Sequence, residues 1–424
     1  MAKKRMSLSK LVYKISGFIV LLAMMAQSSD GFYASGRPEP AFSLSNDTGK
    51  ETAKVTGKAA NNEANASEKF PRKQMAEPVR GIYMSGWVAG SVKSRDRLLR
   101  LMERTDLNAV VIDVKNEYGA LTYRSKVDEV RSLGADRQPL ISDIRRLLKE
   151  LHDRKLYVIG RVVVFKDPYL AAKKPQYAIR RSNGELWRDS QGKVWIDPFD
   201  KSVWIYNIRI AEEAVRLGFD EIQFDYVRFP DGIGGNADGI VYRNPERWTR
   251  EEAIGRFLRE AKPVIHRAGG RLSADVFGLI TTSEHDMGIG QTWRNIASSV
   301  DVISPMVYPS HYSEGIYGVR YPDLEPYTII SRAMRDASLR NQALRREGIQ
   351  GADIRPWLQS FTATWLPQHQ HYDFRQLREQ IRALKDQGIE QFLLWSPNCK
   401  YDYRSSAASE TDAENRLSRS ISLP

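Results

Sequence analysis

The chain has 424 residues, 42% hydrophobic and 10% aromatic, enough to bury a sizeable core. Lys and Arg number 64 against 52 Asp and Glu, a formal net charge of +12 that suits anionic surroundings; no basic block is interleaved with aromatics, so no nucleic-acid partner is expected. The single cysteine, Cys399, excludes an intrachain disulfide and any multi-cysteine zinc site.

The N-terminal segment MAKKRMSLSKLVYK is basic and leads into the apolar run ISGFIVLLAMMA at 15–26. That run is shorter than an ordinary transmembrane helix and has the length of a signal-peptide core. Residues 1–34 are therefore expected to be a signal peptide or, if uncleaved, an N-terminal membrane anchor through residues 11–26. Either way the folded part is expected outside the cell or at its surface. Residues 35–77 are poor in large apolar side chains, and stretches such as SNDTGKETAKVTGKAANNEANASEK cannot offset their ordering entropy, so this segment reads as a disordered polar linker.

From 78 to 404, strand and helix patterns alternate. The strands expected are GIYMSGW (81–87), NAVVIDVKN (108–116), LYVIGRVVVF (156–165), EIQFDYVRF (221–229), RLSADVFG (271–278), DVISPMVYP (301–309), IRPWLQSF (354–361) and QFLLWSP (391–397). Amphipathic helix patterns fill the gaps, and several end in Gly. Eight such units define a single (β/α)8 TIM barrel, with residues 405–424 as a C-terminal helix or tail. A doubly wound open sheet would call for a Gly-rich phosphate turn after the first strand, and SGWVAGSVKS has its glycines at the wrong spacing.

Alternation assigns faces. If Ile222, Phe224 and Tyr226 lie under the helices, then Gln223 and Asp225 point into the lumen, with Asp225 nearer the C-terminal mouth where barrel active sites lie. The same parity turns Asp113, Lys115, Arg161, Asp275, Tyr308 and Trp395 inward. These charges could neutralise one another as a buried network, but so many ionisable groups converging on one mouth point to a site. Paired carboxyls are the minimum equipment for glycoside hydrolysis, one protonating the leaving oxygen and one attacking or activating water. Asp225 and Asp275 are the candidate pair, and Glu117 is the reserve acid. Trp87, Tyr118, Tyr308, His311, Trp357 and Trp395 stand at or near strand ends, where flat aromatic faces can carry sugar rings; Asp113, Lys115, Arg161, Gln223 and Arg228 complete the candidate substrate-binding set.

The blocks NAVVIDVKNEYGALTY, FDEIQFDYVRFPDG, SADVFG, ISPMVYPSHY and LLWSPN, in this order over roughly 78–400, resemble a glycosyl hydrolase family of bacterial TIM-barrel proteins that is distantly α-amylase-like. The resemblance implies a barrel with a glycosidase-like mouth, and it puts Asp225 where amylase-like barrels hold a nucleophile. Their fifth-strand acid is usually Glu; this chain offers Asp275 there, with Glu117 still open as the acid. The expected partner is a cell-wall or extracellular polysaccharide, and no cofactor or metal is expected. A glycan-binding barrel without catalysis and an envelope assembly factor are the rival readings. Other features are weaker: His369 and His371 in a polar loop, the Gly/Asp-rich segment 231–239 as a flexible lid, and Glu284 as a further loop acid.

Overall fold

The computed structural model describes residues 77–231 and 239–404. The expected signal segment, nearly all of the linker, the C-terminal tail and most of 231–239 lie outside the described residues.

Eight parallel strands close into a barrel: β1 Arg80–Met84, β2 Ala109–Lys115, β3 Tyr157–Val163, β4 Glu221–Asp225, β5 Arg271–Phe277, β6 Val302–Met306, β7 Trp357–Gln359 and β8 Phe392–Trp395. β1 pairs with both β2 and β8, and β6 meets β7 through Met306 and Trp357, which completes the ring. Each strand falls on a stretch expected from the sequence, β1 starting one residue earlier at Arg80. The excess residues at the C-terminal ends of those stretches have left the ladder and form the mouth. One strand is interrupted: Asp353–Ile354 pairs with the base of β6, the Arg355 N–H still donates to the Ile303 carbonyl, and Pro356, which has no N–H, breaks the ladder before β7.

The helical layer comprises α1 Val92–Met102, α2 Ile144–Asp153, α3 Lys201–Leu217, α4 Arg250–Ala268, α5 Trp293–Ala297, α6 Pro326–Arg346 and α7 Phe374–Asp386, with shorter turns between. α2 shows why these segments are helical. Ile144, Leu147, Leu148 and Leu151 fall on one buried stripe, and Asp143 caps the N-terminus through the Arg146 N–H. α4 opens on a capping box of Thr249 and Glu252 and stops at left-handed Gly269. Phe224 turns outward from β4 onto Phe257 of α4, ring centroids 5.0 Å apart, so its neighbours Gln223 and Asp225 face inward.

Two βα connections are enlarged. After β3, residues 164–200 form a small β-rich flap, and its Arg180–Arg181 strand pairs antiparallel with Ile240–Val241 from the loop after β4. The flap is thus tied to the loop that follows β4. Among the described residues, no helix is long and apolar enough to cross a membrane.

Candidate active site

Arg161 organises the mouth. It lies on β3, register-paired with Asp113 of β2 on one side and Gln223 of β4 on the other. Its Nη1 donates to Asp113 Oδ1 at 2.7 Å, while Nε and Nη2 donate to Asp225 Oδ2 at 2.9 and 2.7 Å. Burial works against the guanidinium charge, but Asp225 and Asp113 outweigh it and hold the Arg161 pKa well above its ordinary value. Asp113 is fixed further by the Tyr83 hydroxyl, which donates to Oδ2 at 2.6 Å.

Asp225 is the last residue of β4. Its Oδ1 accepts the N–H of Tyr226 at 2.6 Å, and Tyr226 has φ +49°, a left-handed conformation that a large side chain rarely adopts. That turn ends the alternation. Tyr226, expected under the helices, instead stands half-buried at the mouth, its ring 4.9 Å from Lys166 Nζ and 5.3 Å from Arg228 Cζ.

Asp275, near the end of neighbouring β5, receives the Trp357 indole N–H on Oδ1 at 2.7 Å. Burial pushes its pKa well up and the Asp225 charge pushes it further; the Trp357 hydrogen bond, Arg161 and Arg355 pull down without cancelling the effect. The two carboxyls therefore sit in different surroundings: Asp225 is clamped by a guanidinium, and burial favours the protonated form of Asp275. Glu117, in the loop after β2, lies 4.0 Å from Arg161 Nη1 with its side chain 29% exposed. Burial raises its pKa too, opposed by Arg161 and reinforced by Asp113.

Aromatic side chains wall the site. Trp395 packs on Tyr83 at 4.5 Å and edge-on to Trp357 at 5.9 Å, and Arg161 Cζ lies 5.9 Å from the Trp395 ring. Tyr308 is buried beside both carboxyls, and burial, Asp275 and Asp225 raise its pKa in that order. His311 is buried, paired with Ser310 Oγ at 2.9 Å, and burial depresses its pKa to about 3, so it is neutral. Trp87 is 59% exposed in a short helix after β1, and Lys193 of the flap lies over the Tyr118 ring at 5.1 Å.

Several expected positions shift. Lys115 does not enter the lumen. The β2–β3 register slips between Asp113 and Lys115, and one extra residue flips every later side chain to the other face. Lys115 Nζ is therefore buried behind the wall, 2.7 Å from both Asp167 Oδ2 and Asn207 Oδ1 of α3. Gln223 points inward but lies fully buried below the mouth, donating to Ser304 at 3.2 Å. Arg228 is buried under Trp195 and Phe277, its Nη1 3.7 Å from Asp231. His369 is engaged with the Leu366 carbonyl and His371 with Thr362, and among the described residues no group of three or more His, Cys, Asp or Glu could hold a metal. Sequence reasoning missed Tyr83 and Lys166. Tyr83 had a readable signal, since it has the inward parity of β1.

The architecture is that of the (β/α)8 barrels, with an acidic, aromatic-walled mouth. Residues 81–401 match the model of the family described as "putative glycosyl hydrolase domain", and the chain belongs to that family, which implies a carbohydrate substrate. A hypothetical protein from Ruminiclostridium thermocellum is 40% identical over 46% of this chain and 97% of its own, with a TM-score of 0.42. The PgaB glycoside hydrolase domain from Bordetella bronchiseptica is 14% identical over 80% of this chain and 98% of its own, with a TM-score of 0.53, a likeness of fold. A chitinase from Chromobacterium violaceum is 12% identical over 77% of this chain and 96% of its own, with a TM-score of 0.43. No curated protein matches the chain.

Proposed function

We propose that this glycosidase-family barrel cleaves a cell-wall or extracellular polysaccharide with Asp275 as general acid and Asp225 as nucleophile or charge stabiliser. The supporting observation is the split between two neighbouring carboxyls: one is fixed by Arg161 and the other has its pKa raised by burial. Asp275 Oδ1 is occupied by Trp357, and Oδ2 has no partner among the described residues, so it is the oxygen free to deliver the proton. In the reaction that proton passes to the glycosidic oxygen as its bond to the anomeric carbon breaks. The positive charge growing on the sugar faces the Asp225 carboxylate, and a water then adds to the anomeric carbon, its surplus proton returning to Asp275. Glu117 flanks the same guanidinium and is the alternative proton donor. The test is release of reducing ends by the full chain from a panel of such polysaccharides; no release from any of them overturns the reading.

The second reading is glycan binding without cleavage. It is favoured by the engagement of both Asp225 oxygens, Oδ2 by Arg161 and Oδ1 by the Tyr226 N–H. Tight glycan binding with no release of reducing ends would select it.

The basic N-terminus and the apolar run at 15–26 support export or tethering of the barrel. A C-terminal reporter that works only outside the cytoplasm should be active when fused to the chain. Activity solely from a cytoplasm-restricted reporter would exclude export.

A further inference from the structure

Five basic residues are buried among the described residues: Lys115, Arg161, Lys166, Arg228 and Arg355. Four have a carboxylate within 4.0 Å, respectively Asp167, Asp113 with Asp225, Asp231 and Glu221. Lys166 is the exception among the described residues. Its Nζ makes one long hydrogen bond, 3.4 Å, to the neutral side chain of Gln191 and lies against the Tyr226 ring. The next residue, Asp167, is already bound to Lys115, and Glu117 feels the Lys166 charge only as the weakest influence on its own pKa.

A buried cation without a counter-ion is costly, and a protein keeps one where something else completes it. Lys166 is well placed for that. The backbone leaves β3 alongside the end of β4, with the Val164 N–H on the Asp225 carbonyl and the Phe165 N–H on that of Tyr226, so Lys166 rises directly beside the Asp225–Tyr226 turn. A sugar ring held over the Asp225 carboxyl would lie beside the Asp225–Tyr226 turn, against whose tyrosine ring this nitrogen packs.

We infer that Lys166 is a specificity residue that binds a carboxylate on the sugar at the cleavage point, so that the substrate is an acidic glycan. This rests on the proposed glycan-cleaving site. The carboxylate can come from a hexuronic acid or from a lactyl ether on an amino sugar. Both present one compact anion to a point-charge ammonium, a pairing that needs no bidentate fork.

Binding is the readout that separates this inference from the catalytic one. Two matched pairs of probes are titrated against the full chain by calorimetry: methyl glucuronide with methyl glucoside, and N-acetylmuramic acid with N-acetylglucosamine. In at least one pair the acid should bind about tenfold or more tighter, as expected for a hydrogen bond between charged groups. The pair that discriminates identifies the source of the carboxylate. Lys166→Met should bring that ratio close to one, and Lys166→Arg should recover part of it. If Lys166→Met does not fold, the parent's ratio should still shrink with rising ionic strength. Equal binding within both pairs, or a preference unchanged in Lys166→Met or by salt, overturns the inference. Acid-selective binding without hydrolysis of any polysaccharide would leave Lys166 standing and remove the catalytic reading. Hydrolysis of neutral glycans with no acid preference would do the reverse.

Discussion

Strand β4 carries a carboxylate at each end, and the two have little in common beyond their chemistry. Glu221, at the floor of the barrel, is fully buried, ion-paired to Arg355 and hydrogen-bonded by Tyr157 at 3.1 Å. Asp225, four residues along the same strand, faces the mouth with its side chain 11% exposed, and it shares Arg161 with Asp113. A buried ion pair alone therefore does not mark a site, since the floor has one with no opening. The mouth adds a second carboxyl, Asp275, close enough for the Asp225 charge to help keep it protonated. The floor holds its charge for structure. The mouth holds two carboxyls in unlike surroundings, one clamped by Arg161 and one whose pKa burial raises.

The sharpest way to break this contrast is Asp225→Asn, which keeps the shape and removes the charge. If Asp225 acts on the anomeric carbon, turnover should fall by about three orders of magnitude or more with glycan affinity nearly kept. A variant that melts early yet turns over at the parent rate once folded would move Asp225 into the same class as Glu221.

Asp275→Asn should cost roughly 10²–10⁴-fold in turnover on a natural linkage and much less on an aryl glycoside whose leaving group needs no proton. Equal losses on both substrates would shift the acid to Glu117. The same variant carries a pH signature. A carboxyl whose folded pKa is raised contributes stability fully below its ordinary value, and that contribution is lost as pH rises through the raised one. Asn stays neutral throughout. Melting midpoints of the parent should therefore fall, as pH rises above the ordinary carboxylate range, more than those of Asp275→Asn. Parallel pH profiles would mean that the Asp275 proton is held no more tightly than in the unfolded chain.

At the floor the expectation inverts. Glu221→Gln leaves Arg355 buried without its anion and should destabilise the barrel by about 3–5 kcal/mol, while kcat of the folded fraction stays within about twofold. Denaturant unfolding measures the first quantity and active-fraction-corrected kinetics the second. A large fall in kcat with little loss of stability would mean that floor and mouth are one functional unit.

Much of this division was legible in the sequence. Period-two alternation on β3, β4 and β5 turned Arg161, Asp225 and Asp275 inward, because side chains in a regular strand must alternate. It failed where regularity failed. The register slip after Asp113 sent Lys115 to the helix layer, and the left-handed turn at Tyr226 brought that ring to the mouth. Lys166 lies just past β3, beyond the reach of parity, and its significance depends on a partner that is missing in space, which no linear pattern records. Pro356 likewise hid the role of Arg355, since a broken strand reads as continuous when its flanks are apolar.

The smallest effect should come from the outermost residue. Trp87 follows β1 in the helix Gly86–Gly90, capped by Ser85, and is the most exposed aromatic side chain at the mouth. More than half of its surface stays exposed, so Trp87→Ala should change stability by only about 0.5–1 kcal/mol, near the range of a surface substitution. As a platform for a sugar ring it would hold ground state and transition state alike. KM should then rise by about 3–10-fold with kcat unchanged, the value of one aromatic contact. This is the reverse of the floor, where the penalty falls on stability and spares kinetics. An unchanged KM would confine glycan contacts to the inner wall of Tyr83, Trp395 and Tyr308. A fall in kcat instead would mean that Trp87 helps align the bond over Asp275, drawing the catalytic region out to the rim.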